Sequence, residues 1–238
     1  AELEQAGHRF STHSDTEVIL HLYEDLGVDC LQRLNGQFAI AIWDCRQKEL
    51  FLARDRLGIR PLFYTLLPGS QGVVFGSEIK ALLLDPRVQA QLAPQALAQV
   101  FAFWAPLSPR TAFQNIQQLP PGHFVQIGDT AHVPAPVAYW SLSFPEAGDE
   151  LHISEPEAAE ELKTLLSDAT RLRLRADVTV GSYLSGGLDS TYIAALIRQH
   201  VQDHLCTFSI AFEEAAFDER SFQEIATAFL ATDHRRTE

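Results

Sequence analysis

Methionine is absent from all 238 residues, so the sequence does not open at an ordinary translational start. Long apolar runs are missing too, and the first residues are polar rather than signal-like, which argues against a membrane span or a secretory leader. Cysteine is scarce: Cys30, Cys45 and Cys206 are odd in number and widely spaced, without the pairing of a metal cluster or a disulfide framework. That usage suits three reduced thiols in a cytoplasmic protein. Basic residues are in deficit, with 18 Lys and Arg against 31 Asp and Glu, for a net charge of -13. A chain of that sign is a poor partner for nucleic acid, which needs clustered cations. Arg171, Arg173 and Arg175 alternate with leucines after a helical pattern, where cations suit the helix dipole.

What remains is ordinary globular composition, 46% hydrophobic and 21% charged, enough for one large domain or two small ones. Ser14-Asp15-Thr16-Glu17 fits a capping box, with Ser14 capping the Glu17 amide and Glu17 reaching back. Val18, Ile19, Leu22 and Leu26 follow at helical spacing, and Gly27 is the expected stop. Phe38–Trp43, Leu50–Ala53 and Val73–Phe75 read as strands, with polar turns between them. Short helices are expected from Ile79 to Leu84 and from Pro94 to about Phe103. Adjacent strands mixed with short helices predict a layered α+β domain.

Pro134 to Gly148 holds four prolines or glycines with little periodicity and is the candidate linker. Ser154-Glu155-Pro156-Glu157 is a second capping box, opening a helix to about Leu172. A strand over Val178–Leu184, a helix from Asp189 to about Val201 and a strand over Leu205–Ala211 then make a βαβ unit, hence a parallel sheet. A last helix is expected over about Glu219 to Leu230.

The strongest chemical signal is Ser185-Gly186-Gly187-Leu188-Asp189-Ser190, at the carboxyl end of that first strand and the start of the helix. Parallel sheets bind ligands at this edge. Two glycines let the main chain approach an anion without a Cβ, and successive amides at a helix start form an anion-binding concavity. Ser185 and Ser190 add hydroxyl donors. Asp189 suits a phosphate site when a cation such as Mg²⁺ lies between the two negative groups. Other phosphate-loop patterns, G-x-x-x-x-G-K-[ST] and G-x-G-x-x-G, are absent.

Gly181-Ser-Tyr-Leu-Ser-Gly-Gly-Leu-Asp-Ser-Thr191 resembles the pyrophosphate loop of ATP pyrophosphatases, in the version found in asparagine synthetases. Thr207–Phe212 and Phe217-Asp218-Glu219 are similar to that family's next strand and loop. Ser14–Ile19, Leu34–Asp44, Arg54–Tyr64 and Gly76–Ala81 resemble, in order, segments of class II glutamine amidotransferase domains, and Leu119–His123 is similar to a segment near that domain's end. The resemblance runs from about Phe10 to His234. It implies an α+β layered glutaminase-type (Ntn-hydrolase-like) domain over 1–140, a linker over 141–152, and the start of an α/β parallel-sheet ATP-pyrophosphatase domain over 153–238.

The resemblance also implies site residues and chemistry. Asp15 would bind the α-ammonium of glutamine, although a carboxylate there also suits a helix start. Ser185 to Ser190 would hold the phosphates of ATP, and Leu184 and Ile210 would line the adenosine pocket. Substrates would be glutamine, aspartate and ATP, with Mg²⁺ at Asp189; a homodimer stays open. In the family, glutamine hydrolysis supplies ammonia to an aspartyl adenylate, giving asparagine, AMP, pyrophosphate and glutamate. A β-lactam synthetase-like enzyme using another acid, or a non-catalytic nucleotide-binding fragment, are the other readings. Asn35-Gly36 and Arg54–Tyr64 are expected to be structural, with Gly58 and Pro61 constraining a loop. The family's nucleophile is an N-terminal cysteine whose amine is the base. This sequence opens on Ala1, so no catalytic residue is assigned, the chain is expected to be incomplete at both ends, and it is expected to be inactive alone.

Overall fold

In the computed structural model, residues 2–128, 133–200, 205–214 and 218–237 are described. They divide into two compact units, Ala1–Phe144 and Pro145–Glu238. No helix among the described residues is long and apolar enough to cross a membrane.

The first unit runs α1 (Glu2–Gln5), α2 (Asp15–Leu26), α3 (Cys30–Arg33), β1 (Ala39–Asp44), β2 (Glu49–Arg54), β3 (Phe63–Leu66), β4 (Val73–Gly76), α4 (Ile79–Leu82), α5 (Pro94–Phe103), β5 (Gln117–Gln118), β6 (His123–Ile127) and β7 (Val137–Ala138). The expected strands and helices are all present here, with α4 ending two residues early. The sheet pairings are antiparallel, in the orders β1-β2-β6-β7 and β4-β3-β5. Pleating sends alternate side chains of β2 to opposite faces. Phe51 and Ala53 pack with Cys30, Leu31 and Ile40 beneath Ile19, Leu22 and Tyr23 of α2. Leu52 faces the other way, into a cluster with Leu62, Tyr64, Leu119, Val125 and Ile127. β2 is therefore covered on both sides, and Phe51, Leu52 and Ala53 are all fully buried. The unit stacks as helix, sheet and second sheet, the α+β layering that the alternation predicts.

Where β2 ends, two charged side chains enter the interior, Arg54 at 5% and Asp55 at 1% exposure. Burial of ions is costly unless their hydrogen-bonding groups are met. Arg54 meets this by donating to three carbonyls, Nε to Arg60 (2.8 Å), Nη1 to Leu119 (2.8 Å) and Nη2 to Gly58. Asp55 accepts from the amides of Ile59 and Arg60, each at 2.9 Å, and of Phe38 at 3.3 Å. Tyr139 Oη donates to the Arg54 carbonyl at 2.9 Å. Gly58 stands at φ +66°, and a Cβ there would lie 2.7 Å from Pro121 Cγ and 2.9 Å from the Arg54 guanidinium carbon. The constrained loop expected around Gly58 and Pro61 is thus built by a buried polar knot.

The second unit comprises α6 (Glu155–Arg173), β8 (Gly181–Tyr183), α7 (Leu188–His200), β9 (Cys206–Ile210), α8 (Arg220–Leu230) and β10 (Asp233–Thr237). The capping box at Ser154 forms in both directions. The sheet is parallel, in the order β10-β9-β8. Leu184, Ala194, Ile197, Leu205, Ala226 and Leu230 fill the core between that sheet and helices α7 and α8. Two expectations need correction. Val178–Val180 are not strand, because β8 is an edge whose pairing to β9 begins only at Gly181↔Cys206, and Val178 is exposed. A further strand, β10, follows the last expected helix. The expected helix end at Val201 and the Phe217 of the similar loop lie outside the described residues.

Arg54→Leu should lower stability by about 1–3 kcal/mol or more, since it strands the buried Leu119 carbonyl, at a desolvation cost of about 1–3 kcal/mol, together with two partly buried carbonyls. Urea unfolding of wild type and variant reads this directly.

Candidate functional sites

The first candidate site lies at the start of α2. Ser14 is the N-cap in extended conformation, but its hydroxyl accepts from the Thr16 amide at 3.2 Å rather than from Glu17. The expected reciprocal box does not form, because the preceding loop captures the Glu17 carboxylate. Its oxygens accept from the amides of Ser11 and Thr12, both at 2.7 Å, and from both hydroxyls. Two backbone and two hydroxyl donors outcompete a single amide at Ser14. These bonds, led by that of the Ser11 amide, lower the Glu17 pKa from 4.5 to about 2. Asp15 opens the helix, is exposed, and makes no hydrogen bond or ion pair among the described residues. A cavity of about 910 Å³ adjoins this helix start, lined by Ser14, Thr16 and Glu17 on one side and Ile40 and Ile42 on the other. Asp15 does not line it.

None of the three cysteines forms a disulfide. Cys30 is buried in the α2 core, where desolvation pushes its thiol up to about 11. A thiol so protonated is a poor nucleophile.

The second candidate site is the turn between β8 and α7. Leu184 continues the strand path: its amide donates to Phe208 O at 2.8 Å, and its carbonyl accepts from the Ser209 hydroxyl. The turn is then held by its own serines. Ser190 Oγ accepts from the Ser185 amide at 3.2 Å and lies 2.9 Å from Ser185 Oγ, which accepts from the Gly187 amide at 3.2 Å. Gly186 adopts φ +93°, and a Cβ there would meet the Gln223 amide and Phe222 Cβ, each at 2.9 Å. The turn is thereby pressed against the first turn of α8. Leu188 and Asp189 open α7, whose first amides have no acceptor within the helix, and both side chains are exposed. Asp189 has no hydrogen-bonding or ionic partner among the described residues. Backbone donors at a helix start, a glycine cradle that a Cβ would fill and a nearby free carboxylate are together suited to an anion with its cation.

Leu184 and Ile210 are not brought onto one surface. Leu184 is fully buried in the core, whereas Ile210 is 55% exposed. Along β9, Thr207 and Ser209 are buried while Phe208 and Ile210 are not, so Ile210 stands on the opposite face from that core. Gln223 was not anticipated. It is 1% exposed, donates through Nε2 to Ile210 O at 3.1 Å, and leaves Oε1 buried without a partner. Only its place among the apolar positions of a strongly amphipathic helix could have marked it.

Comparison with known proteins accords with this organisation. Residues 1–140 match the family described as a glutamine amidotransferase domain, and residues 161–238 the family described as asparagine synthase. A protein of Bacillus subtilis named glutamine-hydrolyzing asparagine synthetase 3 is 37% identical over 98% of this chain and 36% of its own length. A putative glutamine-hydrolyzing asparagine synthetase 2 of Methanocaldococcus jannaschii is 34% identical over 94% of this chain and 42% of its own length. Amidase chyE of Penicillium rubens is 30% identical over 94% of this chain and 34% of its own length. This chain belongs to the family described as a glutamine amidotransferase domain, and its later residues are similar to asparagine synthase. It spans about a third of the length of the curated relatives it matches.

Two expected outcomes follow from this geometry. Because the Glu17 pKa is depressed in the fold, its contribution to stability is complete above the ordinary value of 4.5 and disappears as pH falls towards about 2. Glu17→Gln should therefore be less stable than wild type at neutral pH, with the gap closing on acidification through that window, as read by urea midpoints. Gly186→Ala should cost more than about 1 kcal/mol, since it combines positive φ with contact against α8. Chemical denaturation checks it.

Proposed function

We propose that the chain belongs to an enzyme of glutamine-dependent asparagine synthesis. In this reading, glutamine is hydrolysed at the amino-terminal unit. At the second unit, aspartate is adenylated by ATP, and ammonia displaces AMP to give asparagine. One observation carries the proposal: a glutamine amidotransferase match and an asparagine synthase match follow one another along a single chain. The serine-glycine turn at the β8–α7 junction supports it with an independent physical argument.

We assign the helix–sheet–sheet stack to an Ntn-hydrolase-like layering, the domains to 1–140 and 153–238, and the linker to 141–152. Asp15, exposed at a helix start, would bind the α-ammonium of glutamine. Ser185, Gly186, Gly187, Leu188, Asp189 and Ser190 would hold the ATP phosphates through main-chain and hydroxyl donors, stabilising charge rather than forming bonds. Ile210 would flank the adenosine. Leu184 would contribute by fixing the strand from which the turn departs, given its buried side chain. Mg²⁺, if held at Asp189 and the phosphate oxygens, would offset the charge between them. Aspartate is the acid substrate we favour, the cytoplasm the compartment in keeping with three unpaired thiols, and a homodimer the assembly we leave for solution measurement.

The relative named an amidase favours a second reading, in which a different acid or amide is handled by the same scaffold. Exchange of labelled pyrophosphate into ATP by the intact protein separates them. Aspartate-dependent exchange is expected, together with its loss in Asp189→Ala while glutamine hydrolysis persists. Exchange with another acid and none with aspartate would establish the second reading, and full synthesis by Asp189→Ala would remove the turn from the mechanism.

A further inference from the structure

Beside the first candidate site, with Glu17 in common, two imidazoles and three carboxylates converge where the segment after α1 crosses α2. His8 and His21 are mostly buried, at 17% and 14% side-chain exposure, with ring centroids 4.4 Å apart. The Phe10 ring meets His21 edge-on at 4.9 Å. Glu24 Oε2 lies 2.9 Å from His21 Nδ1 and 3.8 Å from His8 Nδ1. One donor atom from each of His8, His21 and Glu24 falls within a span of 4.8 Å. The remaining ring nitrogens face carboxylates of their own: His8 Nε2 donates to Asp25 Oδ1 at 3.0 Å, and His21 Nε2 lies 3.8 Å from Glu17 Oε1.

We propose that His8 Nδ1, His21 Nδ1 and Glu24 Oε2 form a binding site for one divalent transition-metal ion, Zn²⁺ being the ion best matched to them. Two imidazoles and one carboxylate with an open fourth position are an established zinc donor set. With bonds of about 2.0–2.2 Å, tetrahedral donors stand roughly 3.4 Å apart. The 2.9 Å and 3.8 Å separations therefore need only small side-chain rotations, and Glu24, 53% exposed, is free to make them. Asp25 and Glu17 occupy the outer positions that orient metal-bound imidazoles and raise their basicity.

The site also accounts for a group that the metal-free arrangement leaves unsatisfied. His21 Nε2 is buried and has no hydrogen-bond partner. While His21 Nδ1 carries the ring proton and donates to Glu24, Nε2 turns a lone pair towards the Glu17 carboxylate. An ion taken up at Nδ1 shifts that proton to Nε2, where it points at Glu17 and the mismatch is relieved. Such an ion would pin the segment carrying His8 and Phe10 onto α2, the helix that begins at Asp15. The inference stands on these side chains alone and survives whatever acid the intact protein activates.

Chelator-stripped intact protein titrated with zinc chloride by calorimetry tests it, with Co²⁺ absorption reporting coordination and thermal unfolding reporting the clamp. Expected are one ion per chain lost on combining His8→Ala with His21→Ala, four-coordinate Co²⁺ bands, a higher unfolding midpoint, and affinity reduced about 10- to 100-fold in Asp25→Asn. Glu24→Gln, at an exposed position that the fold does not need, should lose at least as much, while His13→Ala should change nothing. No stoichiometric binding, or binding of equal strength in Glu24→Gln, would show that these residues are ion pairs only and overturn the proposal.

Discussion

The first unit depends on the buried guanidinium of Arg54 and the carboxylate of Asp55 at the end of its central strand. Among the described residues neither ion forms a salt bridge; each is met mainly by backbone dipoles. That arrangement makes a loop without regular structure as determinate as a strand. The turn through Gly58, the carbonyl of Leu119 and the amide of Phe38 can satisfy the two ions only in one mutual arrangement. The second sheet follows, because Leu62 and Tyr64 reach the face of β2 from a loop fixed at its start. Hydrophobic burial supplies most of the driving force here, but it is tolerant of small shifts. Hydrogen-bonded charges are not, so the knot is what selects one packing.

Much of this was legible in the sequence, for identifiable reasons. Phe38–Trp43 and Leu50–Ala53 are short apolar runs rich in β-favouring residues on either side of a polar turn, which is completed by Asp44 accepting from the amides of Arg46 and Gln47. β3 and β6 carry β-favouring residues too, but they lie inside segments that stand out first as Gly- and Pro-bearing loops. β5 and β7 are two residues each and have no periodicity to read. β10 escaped because Asp233-His-Arg-Arg-Thr237 contains no apolar residue. Its place as an edge strand, paired on one side to β9, asks little of its side chains.

The candidate sites were legible as chemistry and less so as geometry. Glycines flanked by serines between strand and helix define a turn that can receive an anion, and the hydroxyl network among Ser185, Gly187 and Ser190 shows how it stays rigid. Which face of the sheet each neighbour occupies depends on register, which a one-residue offset inverts. Hence Leu184 and Ile210, on neighbouring strand paths but one residue out of register, part to opposite sides. At α2, the sequence offered Glu17 a partner at Ser14, and the fold offered it better ones at Ser11 and Thr12. His8 and His21 lie far enough apart in sequence that only the crossing of two segments reveals them as neighbours.

The reach of the Arg54 side chain has a temporal consequence. Its bond to the Leu119 carbonyl spans 65 residues, whereas β1 and β2 close as a hairpin across a short turn. As the polypeptide leaves the ribosome, that hairpin and α2 can associate early, but the guanidinium stays without one of its acceptors until Leu119 emerges. Long-range closures of this kind carry the larger entropic toll and come late. The amino-terminal unit thus has a built-in checkpoint: its core is sealed only after the last strands of its main sheet arrive, and until then one buried cation keeps the half-made structure open to water.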